Sequence, residues 1–437
     1  MNTPSVNRVA DGVTPAVTKQ SDAARHETPV ESFLGADGER KIRLLVFTSL
    51  YPNAAQPRHG VFVEERLRHL VDSGRVVATV IAPVPWFPFR HRRFGAYAAF
   101  AKVPKREERF GSRILHPRYP AIPKVGMSLA PLLMYGALLP CVRRLLSDDP
   151  GHDLIDAHYL YPDGVTAVAL GRHVGRPVVV TARGNDVTLI PRYRVPRWQI
   201  LRAARHTDAI ATVSKALREQ LIGLGVDARR ITVLRNGVDL ERFRPLSADG
   251  LRSELGLKGC VWLAVGHLIE RKGVNFVIEA LARVPDTMLL IAGDGPDEHK
   301  LRSLTERLGL HARVRFLGAV PHEELCGYYN AADVTMLASS REGMPNVVLE
   351  SLACGTPVVA APFDGVTELL NAPEAGEVAA ERNAEAIAGA WSRLQSRSPK
   401  RAATRTFAEQ LGWRPVVEAQ CELYARVLAA RASIAGK

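Results

Sequence analysis

Two carboxylates, Glu342 and Glu350, stand eight positions apart around a helix start in the run Ser340-Arg341-Glu342-Gly343-Met344-Pro345-Asn346-Val347-Val348-Leu349-Glu350. Pro345 suits only a first helical turn, Gly355 suits the position just past a helix end, and Pro357 cannot continue one. The spacing therefore predicts a short helix over about 345–354. Glu342 then lies in the loop before the helix and Glu350 in its interior, roughly 6 to 8 Å further along the axis. Between them the unpaired N–H groups and positive dipole end of the helix favour a phosphate. One element thus offers acceptors for hydroxyls on either side of a diphosphate, which suits a sugar nucleotide. The plainer alternative is that Glu342 caps the helix and Glu350 is solvated.

The elements around this run alternate. Apolar runs predict strands over 41–49, 76–82, 154–157, 177–181, 209–213 and 231–234, and a second series over 261–265, 288–292, 314–317, 334–337 and 357–361, with amphipathic segments such as 61–71 between them. Repeated strand and helix units imply two doubly wound parallel sheets, an α/β class. Ligands of such sheets bind outside the carboxyl ends of the strands, so two facing sheets create one cleft. The turn-rich stretch 236–245 reads as the connection between them.

The 437 residues suit two domains of about 200 residues each. The five cysteines are odd in number and contain no C-x-x-C, which argues against a disulfide scaffold or a zinc site and for a reducing cytoplasm. A net charge of +13 implies attraction to polyanions. With no zinc-finger spacing, RNA-binding aromatic motif or basic zipper, nucleic acid is the weakest partner; a nucleotide sugar and an anionic membrane remain. Residues 1–40 read as a disordered tail.

The run from Glu342 to Glu350, followed by Ala353-Cys354-Gly355-Thr356-Pro357-Val358-Val359, resembles the signature of glycosyltransferase family 4. Further motifs agree in order: 264–273, 291–296 and 314–318 resemble successive loops and strand ends of the family's donor domain, and the resemblance covers roughly residues 41–430. It implies the GT-B fold: two facing Rossmann-like domains with a deep cleft, here an acceptor-binding domain over 41–240, a donor-binding domain over 241–412, and a C-terminal helix over 413–437 packing back on the first. The similar enzymes build bacterial surface or capsular polysaccharides.

Carried over residue by residue, the resemblance gives Glu342 a place against the transferred sugar and Glu350 the ribose hydroxyls, with the backbone of Gly343, Met344, Pro345 and Asn346 meeting sugar or phosphate. Lys272, with Arg271 and Gly273, matches the phosphate loop, where His267 stands in place of the usual arginine. Gly60 fits the family's glycine loop, or a plain turn. His158 matches a strand-end histidine at the reaction centre and is the second catalytic candidate. Arg183 replaces a histidine in the loop 181–186 and suits a negatively charged acceptor, with Asn185 and Asp186 beside it. No cofactor and no metal are expected, because cations and a helix dipole neutralise the leaving diphosphate.

The implied reaction is metal-independent transfer of a hexose, with retention, from a nucleoside-diphosphate sugar to a lipid-linked or oligosaccharide acceptor. The alternatives are a catalytically silent nucleotide-sugar-binding scaffold and a sugar-nucleotide epimerase of the same fold. Arg90, Arg92, Arg93, Lys102, Lys105, Arg106 and Arg109, mixed with Trp86, Phe87, Phe89, Phe94, Tyr97 and Phe100, form a composition suited to an anionic membrane interface, hence a peripheral cytoplasmic location. The uncharged stretch 125–142 reads as a buried or interface-lying helix.

Overall fold

The computed structural model describes residues 40–435 apart from 88, 90, 92–95 and 123–125. Residues 1–39 of the tail expected over 1–40, and the interface candidates Arg90, Arg92, Arg93 and Phe94, lie outside the described residues, while Arg40 is described and pairs with Asp153.

Among the described residues, ten strands belong to the first half: β1 (Ile42–Phe47), β2 (Val76–Ile81), β3 (Val84–Pro85), β4 (Arg106–Arg109), β5 (Ser112–Leu115), β6 (Arg118–Tyr119), β7 (Leu154–His158), β8 (Val178–Ala182), β9 (Ala209–Thr212) and β10 (Ile231–Val233). Eight of them form one sheet in the order β10-β9-β8-β7-β1-β2-β5-β4. The strands β7 and β8 are wholly buried runs such as Val178-Val179-Val180, as expected where helices cover both faces. The sheet is mixed, because β4 pairs antiparallel with β5. That hairpin takes up Arg106 and Arg109 from the expected membrane cluster, and Arg109 Nε is bound to Glu64 Oε1 at 2.5 Å.

The second half holds β11 (Cys260–Val265), β12 (Thr287–Ala292), β13 (Val314–Gly318), β14 (Val334–Leu337), β15 (Val358–Ala360) and β16 (Gly376–Val378), ordered β13-β12-β11-β14-β15-β16 and all parallel. Strand order reverses direction at β1/β7 in one sheet and at β11/β14 in the other, and the loops leaving those strands carry the candidate residues.

The chain crosses between the halves twice, side by side. Val238 N donates to Leu411 O at 3.0 Å, and an added Cβ on Gly237 would lie 2.6 Å from Trp413 Cα, so only glycine fits there. The helix Trp413–Ala435 then packs Val417, Cys421, Leu423, Tyr424 and Val427 against Leu44, Val46 and Val179 of the first sheet. Burial of each such Val or Leu contributes about 1.5–3 kcal/mol. Fully buried Arg66 ties this helix down, donating to Gln420 Oε1 at 2.7 Å and to the carbonyls of Leu234 and Arg235.

The helix Ala130–Asp148, with its preceding turn, is long and apolar enough to cross a membrane by length and composition. One face, Met134, Leu138, Val142 and Leu145, is buried in the first core, while Leu129 and Leu132 on the opposite side are exposed.

Candidate active site

A cavity of about 370 Å³ lies between the two halves. From the second half it is walled by Arg271, Lys272 and residues 341–347, and from the first by Phe62, Tyr159, Arg183, Gly184, Asn185, Thr188 and Val213; Asn236, in the crossing, completes it. The glutamate helix begins at Asn346 and ends at Ala353, with Pro345 as an N-cap making no side-chain cap bond. Its first residues open into the cavity.

Glu342 does not cap that helix. Lys272 Nζ donates to its Oε1 at 2.6 Å and Arg271 Nη1 lies 3.3 Å from its Oε2. Burial works to raise its pKa, but Lys272 and then Arg271 outweigh it and hold the carboxyl below the usual range. Arg271 also donates to the Arg341 carbonyl at 2.7 Å, which fixes the loop carrying Glu342. Gly273 lets the cationic loop pack closely: its φ is +65° and an added Cβ would meet Ala338 O at 2.2 Å.

Glu350 is neither solvated nor on the cavity wall. It is buried, its Oε1 accepting from His322 Nε2 at 2.9 Å and its Oε2 from the Tyr329 hydroxyl at 2.8 Å. His322 in turn faces Glu65 Oε1 of the first half at 3.4 Å and Arg242 at 3.1 Å. Burial lowers the His322 pKa, yet its bond to Glu350 and the charges of Glu350 and Glu65 carry it above the ordinary value.

His158 is fully buried and off the wall, contrary to its expected place at the cleft edge. Arg183 Nη2 lies 2.9 Å from its Nδ1 and Asp156 Oδ2 lies 3.2 Å from its Nε2. Since a guanidinium only donates, Nδ1 accepts and Nε2–H points to Asp156, so both ring nitrogens are engaged. The wall position belongs instead to Arg183, stacked on Phe62 with its guanidinium 4.9 Å from the ring centroid. Burial drives the Arg183 pKa down to about 9, and its Nε is buried without a partner.

The resemblance places Asp186 on the acceptor side. It points instead into backbone, accepting from Leu160 N at 2.7 Å and Gly184 N at 2.6 Å, and so positions both cavity loops. His267 is outside the cavity too, with Nδ1 2.6 Å from the Asp294 carbonyl. Gly60 also lies away from it; with φ +76° and an added Cβ 2.3 Å from the Leu50 backbone, it serves a tight turn.

Several wall residues carry no sequence signal of their own: Phe62, Arg341, Asn236 and Tyr159, the last held at φ 79°. The halves touch at Gly184 and Gly343, where an added Cβ on Gly343 would fall 1.7 Å from the Arg183 carbonyl. Glu368 reaches across the same seam: its carboxylate accepts from Lys215 N at 3.2 Å and Ala216 N at 3.0 Å, capping the helix Lys215–Gly223 of the first half. Among the described residues there is no group of three or more His, Cys, Asp or Glu able to hold a metal.

This arrangement has relatives. Residues 252–411 match the profile of glycosyl transferases group 1, and residues 100–242 that of Glycosyltransferase Family 4. A Bacillus subtilis protein assigned to teichuronic acid biosynthesis as the glycosyltransferase TuaC is 31% identical over 336 residues, 75% of this chain and 83% of the relative. The D-inositol 3-phosphate glycosyltransferase of Acidothermus cellulolyticus is 32% identical over 66% of this chain and 70% of its own length. Among solved structures, sucrose-phosphate synthase from Thermosynechococcus elongatus superposes with a TM-score of 0.72 at 20% identity, covering 90% of this chain and all of that one. Anabaena HepE in complex with UDP gives 0.66 at 21% identity, over 88% of this chain and all of HepE. Two sheets facing one cleft, two family profiles in register with them and a relative matched over most of its length make this chain a member of glycosyltransferase family 4, a glycosyltransferase of GT-B fold.

Proposed function

We propose that the chain transfers a hexose, with retention and without a metal, from a nucleoside-diphosphate sugar to a lipid-linked or oligosaccharide acceptor during assembly of a bacterial surface polysaccharide, acting in the cytoplasm. The observation that carries this reading is the Glu342 loop: a carboxylate held by Lys272 and Arg271 at the mouth of a helix N-terminus, inside a cavity walled by both halves. The name of TuaC supports the polymer and the UDP bound to HepE supports the donor class.

In this scheme the donor diphosphate lies along the N-terminus of the Asn346–Ala353 helix and displaces Glu342 from Lys272, whose ammonium then neutralises the leaving phosphate. The freed Glu342 faces the sugar hydroxyls. The acceptor hydroxyl attacks the anomeric carbon from the face the phosphate leaves, passing its proton to that phosphate through an oxocarbenium-like state. Glu350 reaches the ribose only if the nucleotide takes over part of its bonding from His322. Arg183 supplies a fixed positive charge on the opposite wall and suits an acceptor bearing an anionic group.

The test is a thermal-shift screen against UDP-, GDP- and ADP-sugars, followed by transfer assays with the stabilising donor in the presence of EDTA. Transfer by the wild type and none by Glu342→Ala supports an enzyme. Nucleotide binding with no turnover on any lipid-linked acceptor supports the scaffold.

A further inference from the structure

The helix Arg194–His206 carries Arg194, Arg197, Arg202 and Arg205, Arg192 precedes it, and residues 189–207 contain no Asp or Glu. All five guanidiniums are exposed, and none forms an ion pair with a carboxylate among the described residues. Elsewhere on this surface arginines such as Arg68, Arg242 and Arg431 are paired.

Large apolar side chains stand among these charges. Trp198 is 59% exposed and Leu132 is 64% exposed, with Met127, Leu129, Tyr193 and Val195 also open to solvent. Trp198 and Leu132 both line a groove of about 440 Å³ that includes Val165, Val168, Arg172 and Arg202. Arg202 stacks on Trp198, 5.5 Å from the ring centroid. Contiguous exposed apolar surface of this kind marks an interaction site.

The two apolar segments are locked into one face: the Tyr161 hydroxyl lies 2.6 Å from Met127 O and 2.9 Å from Gln199 Oε1, while Gln199 Nε2 donates to Ser128 O at 2.9 Å. The same stretches of chain lead into the cleft, since Tyr159, Asn185 and Thr188 line the active-site cavity. Acid-free cationic charge around Trp, Tyr and Leu is the composition that settles at the boundary of headgroup and acyl chain. A nucleic-acid surface would not call for exposed Leu129, Leu132 and Met127.

We propose that this face, built from residues 127–132 and 192–206, docks the chain onto an anionic phospholipid surface, with Trp198 and Leu132 entering the headgroup boundary and the arginines binding lipid phosphates. The expected interface over 86–109 is a weaker candidate, because Arg109 is bound to Glu64, and Glu107 and Glu108 follow directly on Arg106. The proposal gives the transferase reading its route to a lipid-linked acceptor, but its test measures binding without turnover, so either can fail alone.

The full chain is floated with vesicles of phosphatidylcholine alone and of phosphatidylcholine mixed with phosphatidylglycerol. Binding is expected only to the anionic vesicles, and raised salt weakens it. Arg197→Gln with Arg202→Gln should lower the partition coefficient by about fivefold per arginine, roughly 25-fold together. Trp198→Ser should lower it further, and Lys102→Gln with Lys105→Gln should leave it unchanged. Unaltered unfolding midpoints of these surface variants establish that they are folded. No flotation, equal flotation on neutral vesicles, or wild-type binding by the arginine variant overturns the proposal.

Discussion

Lys272 Nζ lies 2.6 Å from Glu342 Oε1, so the cation proposed for the leaving diphosphate is paired with the carboxylate proposed for the sugar. Diphosphate and carboxylate then compete for one ammonium. Glu342→Gln is expected to tighten nucleoside diphosphate binding, measured by calorimetry, while lowering kcat. Lys272→Met should reduce kcat/KM by about 100- to 1000-fold, the scale of losing one charge donor at a leaving group. A Glu342→Gln variant that keeps wild-type kcat and affinity would refute the competition.

His322 bridges Glu350 of the second half and Glu65 of the first, with Arg242 and the Phe243 ring also against it. Its folded pKa is raised, so the stability it contributes is fully present below its unfolded value of about 6.5 and is lost as pH rises through the folded value. Glu65 is itself raised, first by burial, which also favours the folded state at lower pH. The unfolding midpoint should therefore fall as pH climbs above about 6.5, and the fall should be shallower in His322→Gln. Parallel curves for the two proteins would show that the bridge does not titrate.

Asp163 is fully buried beneath the first cavity loop, accepting from Ser49 N at 2.7 Å and Ser49 Oγ at 2.8 Å. Burial raises its pKa to about 7. A raised acid binds more protons folded than unfolded, so its contribution falls between about pH 4 and pH 7. Asp163→Asn keeps an acceptor for Ser49 and removes the charge; denaturant titrations should show that slope flattened and stability at pH 8 increased by a few kcal/mol at most.

Gly343→Ala places a methyl group where the Arg183 carbonyl sits, 1.7 Å from it. The halves must then part at this seam. Small-angle scattering should show a larger radius of gyration, and transfer should drop by more than tenfold with little change in the unfolding midpoint, because neither core is touched. Glu368→Ala, which removes a cap supplied from the other half, should cost about 1 kcal/mol.

The sheets were legible where burial on both faces leaves uninterrupted Val, Ile and Leu, as in β8 and β12. The hairpin of β4 and β5 was not, because Arg106-Glu107-Glu108-Arg109 has no apolar rhythm and owes its place to the edge of a sheet. In the site, the helix start and the loops that carry Glu342 and Lys272 were legible because turn chemistry is local, but the bond between the two, across 70 positions, was not. The partners of Glu350 come from 28 and 21 positions away, and the Arg183 that engages His158 is 25 positions from it. Such assignments depend on how folded elements meet, and no spacing within one element encodes them.

Asn236 sits in the first of the two crossings, yet its amide donates to Asn346 Oδ1 at 2.8 Å and its own Oδ1 faces Arg183 Nη1 at 3.5 Å. A residue of the tether thus grips the start of the Asn346–Ala353 helix and the opposite wall together. Any change in how the two halves sit must therefore carry or break the bond between Asn236 and Asn346. Asn236→Ala is then expected to loosen both walls of the cavity at once, read as weaker nucleotide binding by calorimetry.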